Sequence, residues 1–553
     1  MALSRVRIIG AAIGDDVHVG GVVRFLQTAE QLGYEVRSLG PAVPVERLLA
    51  EVAAWDPAIV AVGYRLTPES ARAVLTHLAR AAREQGQDGR RWVLGATDPV
   101  AEHGRDLRFF EAVFGSSADW QEVVDFLRGA PVQRAGGIPP QRLVDRILWK
   151  RPFPLLRHHF GQPTVEDTVE GVRRISEAGV LDVVSLGTDQ NAQEHFFRPD
   201  EMDQREHGAG GVPVRTPDDL RALFAATRTG NYPLMRCYSG TRDQLAWAEM
   251  LQETIHNAWA AVPLFWYSEL DGRSQRPLTE SIPEVQAVFR WHAERGIPVE
   301  SNESHHWSLR DAPDAVAVAA AYLAAYNARK AGVRDYVQQL MWNNPPLTSP
   351  VMDLAKMLAK LELVESLAGP DFRVWRECRT GLTSMPAGFD RAKGHLAAST
   401  ILQMAVKPDI VHIVGHSEYH HAATAEDVIE GCHVVRGAIE LALQGLPDMA
   451  HDEAVQERKA ELVREARHLL EAIASLAPAG VDDPLTHAPT LAAAVRTGLL
   501  DAPHLMGNPA ARGEVEVRFD DGACRAFDRQ ACRSLGEAER IARVLAGKLV
   551  KGR

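Results

Sequence analysis

The 553-residue chain has only five cysteines, and no two of them make a Cys-x-x-Cys pair. Cys237, Cys378, Cys432, Cys524 and Cys532 are too scattered for a zinc site or a redox pair, so they read as buried or reduced thiols. The cytoplasm is the expected compartment. No apolar run approaches the ~20 residues that span a bilayer, and no membrane partner is expected. Basic residues are not in excess: 61 Lys and Arg against 73 Asp and Glu leave a formal net charge of −12. That sign argues against a nucleic-acid partner. The first apolar run is followed at once by Asp15 and Asp16, so it is not read as a signal peptide.

What is present is a globular composition, 46% hydrophobic and 24% charged, in a chain long enough for two or three domains. Residues 1–130 alternate short β-rich runs (Val6–Ile13, Glu35–Leu39, Ile59–Gly63, Trp92–Leu94, Ala112–Phe114) with helical stretches (Val22–Leu32, Val45–Trp55, Pro68–Glu84, Asp119–Leu127). This pattern predicts a doubly wound, flavodoxin-like parallel sheet. Glycine and proline then mark a linker over 131–149.

From 150 to 478 the alternation resumes on a larger scale. Predicted strands are Leu181–Leu186, Pro233–Tyr238, Pro263–Ser268, Pro298–Asn302, Tyr336–Met341, Arg373–Cys378 and Asp409–Val414. Long helical segments lie between them, and the whole predicts a (β/α)8 TIM barrel. The strand ends are polar: Gly187–Gln190, Arg236–Ser239, Tyr267–Glu269, Asn302–His306, Trp342–Asn344, Arg379–Thr380 and Gly415–Glu418. Barrel active sites gather at such ends. Residues 479–553 form a small α+β extension with a turn at Asp521–Gly522 and a basic end from Lys548.

The motif that carries chemistry is Asp16-Val17-His18-Val19-Gly20-Gly21, directly after the first predicted strand. It places an imidazole two residues after a carboxylate, on the sheet edge where such folds bind ligands. A metal-ligating histidine offers one ring nitrogen to the metal and donates the other N–H to an acid, which sets the tautomer. Gly21 allows close approach of a bulky ligand.

With this motif on a doubly wound domain, the front of the chain resembles the cobalamin-binding module of B12-dependent mutases. The resemblance implies that His18 is the lower cobalt ligand, with Asp16 behind it and Gly21 beside it. Tyr64-Arg65-Leu66 and Gly95-Ala96 match segments that enclose the cofactor's nucleotide tail, where the family usually has Ser-x-Leu and Gly-Gly. From about residue 150 the chain resembles the large subunit of glutamate (methylaspartate) mutase. Pro233–Asp243 matches the strand whose substrate-gripping arginine falls on Arg236. The segment from Asp390 through Val411–Glu418 matches the one near the adenosyl ribose, with its glutamate on Glu418. The family's ribose-contacting lysine is replaced by Val414 or Gly415. Pro263, Glu269 and Arg273 stand where that mutase has a glutamate and two tyrosines for its substrate.

The resemblance implies adenosylcobalamin, a radical isomerase, a small amino or carboxylic acid substrate and a homodimer, while the replaced substrate residues argue against glutamate. Arg236 suits bidentate recognition of a substrate carboxylate or phosphate. Glu269 and Glu303 are candidates to receive a substrate amine or to act as acid and base. His305, His306, His416, His420 and His421 are candidate hydrogen-bond partners. Adjacent histidines on a strand face opposite sides, which excludes easy chelation by His305–His306 or His420–His421. A corrinoid-dependent methyltransferase remains open, although the chain starts without the helical cap such modules carry. A non-catalytic cobalamin-binding protein also remains open.

Overall fold

The computed structural model describes residues 6–32, 34–127 and 138–547, in two compact units, Met1–Gly137 and Ile138–Arg553. In the first unit, β1 (Arg7–Ile13), β2 (Glu35–Val43), β3 (Ile59–Tyr64), β4 (Arg91–Ala96) and β5 (Ala112–Phe114) form one parallel sheet in the order β2-β1-β3-β4-β5. This is the flavodoxin-like topology, whose strand order reverses between β1 and β3. Strands with both faces covered are apolar throughout, and β3 is buried at every position. Val60, Val62 and Tyr64 pack on one side of the sheet, and Ile59 and Ala61 on the other with Val22 and Phe25. Gly10 and Gly63 let the helix Gly20–Gln31 lie close: a Cβ at either would sit 2.8 or 2.7 Å from a Val22 methyl. The helix Asp98–Asp106 was not legible in the sequence, because only Val100, Ala101 and Gly104 are buried along it.

The second unit holds eight parallel strands: β6 (Leu155–Phe160), β7 (Val183–Leu186), β8 (Leu234–Cys237), β9 (Ala260–Ala261), β10 (Val299–Ser301), β11 (Asp335–Trp342), β12 (Arg373–Thr380) and β13 (Ile410–Ile413). Their order, β8-β7-β6-β13-β12-β11-β10-β9, is that of a nearly closed TIM barrel. Across the β8–β9 seam, Ala258 N donates to Met235 O at 2.9 Å and Ser239 N to Ala261 O at 3.2 Å. One expectation is corrected here, and one strand is added. The strand expected at Pro263–Ser268 is instead a buried loop after a two-residue β9. Pro263 has no N–H for a ladder, and the N–H groups of Leu264 and Phe265 are taken by the Glu303 carboxylate. The first barrel strand, β6, escaped notice because its Arg157-His158-His159 core does not read as apolar.

Period-two alternation stacks the barrel interior in layers. Leu155, Val183, Leu234, Val337, Trp375 and Ile410 form an apolar bottom layer with Trp259. One step up each strand come Arg157, Ser185, Arg236, Gln339, Glu377 and His412, and above these His159, Tyr238, Met341 and Arg379. The bottom is closed by the helix Leu143–Lys150, whose Leu143 and Ile147 join the apolar layer. The stretch read as a linker over 131–149 therefore ends in a packed helix, while residues 128–137 lie outside the described part. The extension forms an antiparallel hairpin of β14 (Val517–Asp520) and β15 (Ala523–Asp528), with the short β16 (Arg533–Ser534). Asp521 and Gly522 turn it with φ of 48° and 78°. Its tip is docked by Ser349 N donating to Gly522 O at 2.9 Å. Lys548 and the residues after it lie outside the described part. Among the described residues no helix is long and apolar enough to cross a membrane.

Candidate functional site

The loop after β1 turns through Gly14, at φ 65°, and brings Asp16 beneath His18. Asp16 is fully buried and accepts three N–H bonds. They come from His18 N at 2.9 Å, from His18 Nδ1 at 2.7 Å and from Arg65 N at 2.5 Å. A carboxylate only accepts, so in the neutral imidazole Nδ1 carries the proton and Nε2 keeps its lone pair. The His18 side chain is 54% exposed, which leaves that nitrogen open to a ligand. Among the described residues no three His, Cys, Asp or Glu side chains group to hold a metal.

Beside His18 a cleft of about 430 Å³ runs over the carboxyl ends of β3 and β4, lined in part by Gly21, Gly63, Arg65, Gly95, Phe114 and Trp120. Gly63 and Gly95 are lateral neighbours and keep the floor low. A Cβ on Gly95 would meet nothing within 4 Å, so this position faces open space. Ala96 also lines the cleft. Tyr64 and Leu66, expected here, are placed elsewhere: Tyr64 is buried in the core on the other side of the sheet, and Leu66 packs half-buried against that core. The pleat decides this, since Gly63 takes the cleft side of β3 and Tyr64 the opposite side.

In the barrel, Glu300 gathers the charged layer. Its Oε2 accepts from Arg236 Nη2 and Trp259 Nε1, both at 2.7 Å, and lies 3.3 Å from Arg157 Nη1. Its Oε1 accepts from Gln339 Nε2 at 2.7 Å. Arg157 also pairs with Glu377 and donates to Ser185 Oγ at 2.6 Å. Burial pushes the Glu377 carboxyl up to about 7 despite Arg157. Arg236 is fully buried, yet its Nε and Nη1 have no partner. Above it, Tyr238 stacks on His159 with centroids 4.9 Å apart, and the Tyr238 hydroxyl lies 2.6 Å from His159 Nε2. Burial first, then the nearby cations and neighbouring imidazoles, hold His159, His305, His306 and His412 well below the usual histidine range. These imidazoles are neutral near pH 7.

The other expected residues sit apart from Arg236. Glu303 is buried and ties down the 263–268 loop, accepting from Leu264 N at 2.6 Å, Phe265 N at 3.0 Å and Trp307 Nε1 at 2.7 Å. Burial pushes its carboxyl up to about 7. Glu269 caps a helix, with Oε1 accepting from Leu278 N at 2.9 Å. Glu418 accepts from Gly415 N at 2.6 Å and lies 3.4 Å from His158 Nε2. A Cβ on Gly415 would come within 2.8 Å of that nitrogen, which accounts for glycine there.

His305 and His306 lie on the helix Glu303–Ser308, not on a strand, and their ring centroids are 4.4 Å apart. His420 and His421 follow β13 in a loop, with Nδ1 atoms 3.1 Å apart. Neither pair faces opposite sides of a sheet, because both β10 and β13 end before them. His416 lies 3.3 Å from Glu430. The sequence reading passed over Arg157, His159, Glu377 and His412. Its available signal was the alternation Leu155-x-Arg157-x-His159 and Trp375-x-Glu377-x-Arg379.

The sequence model of the methylaspartate mutase E chain (MutE) matches residues 233–544, more than half of the chain. The chain belongs to this family. The match covers β8 to the final helix, and so includes Arg236, Glu300, Arg379 and Glu418. A curated relative, the glutamate mutase epsilon subunit of Haloarcula marismortui, is 21% identical over 427 residues, 75% of this chain and 82% of the relative. Among solved structures, a cobalamin-binding protein from Desulfitobacterium hafniense is 24% identical over 25% of this chain and 62% of its own, with a TM-score of 0.20. The cobalamin-dependent S-adenosylmethionine radical enzyme OxsB is 8% identical over 79% of this chain and 56% of its own, with a TM-score of 0.17. The chain thus spans less than two thirds of each of these two structures.

Proposed function

We propose that the chain is a cobalamin-dependent radical mutase that isomerises a small carboxylic or amino acid, with His18 as the protein's ligand to cobalt. The observation that carries this reading is the buried Asp16 holding the proton on His18 Nδ1 while Nε2 stays open. A lone imidazole holds a metal well only when the metal brings its other ligands, as the cobalt of a corrinoid does. The cleft beside His18, with its bare glycine floor, fits the displaced nucleotide tail. Membership of a mutase family supports the reaction class.

Adenosylcobalamin, when bound, supplies a weak cobalt–carbon bond as the source of radicals. The chain's own residues do the rest. Asp16 keeps the proton on Nδ1 and makes His18 the stronger ligand. Arg236, anchored by Glu300, directs two free N–H groups at a substrate carboxylate. Tyr238 and His159 form a polar wall above it, and the apolar bottom layer keeps water from entering below.

The test is to add adenosyl-, methyl- and hydroxocobalamin to the full chain and record optical and electron paramagnetic resonance spectra with candidate acids. Adenosylcobalamin binding with a substrate-triggered cobalt(II)–radical signal is expected, and His18→Ala should abolish the histidine-ligated spectrum. Demethylation of methylcobalamin would establish a methyltransferase instead. Binding without turnover of any acid would leave a non-catalytic cobalamin-binding protein.

A further inference from the structure

We propose that Arg65 selects the corrinoid by its tail, its guanidinium pairing with the tail's phosphodiester in the cleft beside His18. This rests on the cobalamin reading and names the part of the cofactor that the first unit grips by charge.

The pleat that turns Tyr64 and Leu66 toward the core turns Gly63 and Arg65 toward the cleft, and both of these line it. Arg65 N donates to Asp16 at 2.5 Å, so the carboxylate that fixes His18 also fixes the backbone of Arg65. The arginine thus starts from the same buried anchor as the imidazole. Its side chain is exposed, and among the described residues no hydrogen bond or ion pair is formed by its guanidinium.

The charge around the cleft has one sign. None of its lining residues carries a carboxylate, whereas Arg24 and Arg65 both line it, in a chain whose net charge is −12. The Arg24 guanidinium lies 4.0 Å over the Trp120 ring. Two acids stand close by, and both are engaged: Asp16 as described, and Asp98 by Ser117 N at 3.3 Å and Ser117 Oγ at 3.1 Å. The walls are apolar and aromatic, with Val22, Phe25, Val93, Phe114 and Trp120. Such a cleft suits an aromatic body that carries a negative group, and it disfavours a cation. The amides around a corrin ring are neutral, so the phosphodiester of the tail is its one anionic substituent. The guanidinium fork matches phosphate oxygens. Gly63 brings no side-chain donor to the base, which leaves apolar contact to hold the base and charge to hold the phosphate.

The experiment titrates the full chain with three corrinoids, followed by visible absorbance. Cobinamide ends before the phosphate, cobinamide phosphate ends at it, and hydroxocobalamin carries the whole tail. At low salt the wild type should bind cobinamide phosphate about fivefold or more tightly than cobinamide, and the gap should shrink at about 0.5 M salt. Arg65→Gln should bind cobinamide as the wild type does, lose the advantage of the phosphate, and lose a similar factor with hydroxocobalamin. Arg65→Lys should recover part of the loss. Glutamine keeps the backbone N–H that Asp16 accepts, so the His18 loop is left as it was. Melting curves check the fold, and if Arg65→Gln does not fold, Arg65→Lys and the salt dependence of the wild type still decide the matter. Equal wild-type binding of cobinamide and its phosphate, or a phosphate advantage kept by Arg65→Gln, would overturn the inference and leave the cobalamin reading standing. A loss by Arg65→Gln that is equal for all three corrinoids would overturn it as well, since Arg65 would then act only by shaping the His18 loop. No binding of any corrinoid would remove the cobalamin reading and this inference with it.

Discussion

Replacing Asp16 with alanine separates a metal-ligating His18 from a histidine that merely caps a loop. The wild-type carboxylate accepts from His18 N, His18 Nδ1 and Arg65 N, all within 2.9 Å. A hydrogen bond to a charged group is worth roughly 1.5–3 kcal/mol. Water can replace the carboxylate at the exposed imidazole but not at the buried end facing Arg65. The net cost to the first unit should be about 2–4 kcal/mol. The functional cost is separate. Without an acceptor at Nδ1 the proton is free to move to Nε2, the atom that must be bare to ligate. Loss of such an outer partner lowers metal affinity about 10–100-fold, or about 1.4–2.8 kcal/mol. Asp16→Asn keeps one acceptor oxygen for His18 and turns its NH2 toward Arg65 N, so it should lose stability and retain more affinity. The assay is a hydroxocobalamin titration followed by visible absorbance, alongside thermal melts of each variant. Asp16→Ala binding within twofold of wild type, with His18→Ala defective, would refute the tautomer argument. Equal binding by all three would remove His18 from the site.

The remaining predictions concern the scaffold and the barrel. Gly95→Leu should leave melting nearly unchanged yet weaken corrinoid binding, since its side chain would enter the open cleft. Gly63→Ala should instead lower stability by about 1–3 kcal/mol, because its Cβ would meet Val22 at 2.7 Å. Arg157→Ala strands Glu377 and part of the Glu300 network in the barrel and should cost about 3–5 kcal/mol, read by denaturant unfolding. Burial raises the Glu303 carboxyl from an ordinary 4.5 to about 7, so the folded state holds its proton more tightly than the unfolded chain. Its contribution is full below pH 4.5 and declines as pH rises to 7. The stability gap between wild type and Glu303→Gln should therefore narrow by about 3 kcal/mol between pH 4.5 and 8. A pH-independent gap would show that Glu303 does not titrate in this range.

The front domain was largely legible from residues alone. All strands of its sheet but the edge strand β2 carry a short apolar run beside a helix, and Asp16-x-His18 lies next in chain to the strand that positions it. Such local patterns need no knowledge of distant partners. The same holds for the hairpin turn at Asp521–Gly522 and for Arg236 at a strand end. What the sequence by itself determined is therefore the two architectures and the one loop that presents an imidazole on a carboxylate. The tertiary structure decided which polar residues share a space. Only closure of the barrel brings Arg157, 143 residues before Glu300 and 220 before Glu377, into one charged layer. It also turns Glu303 from a candidate base into the anchor of a loop, and Tyr64 from a tail contact into core. The physical reason is range. Propensity and periodicity act over a few residues, whereas a buried charge is defined by partners that only the folded barrel assembles.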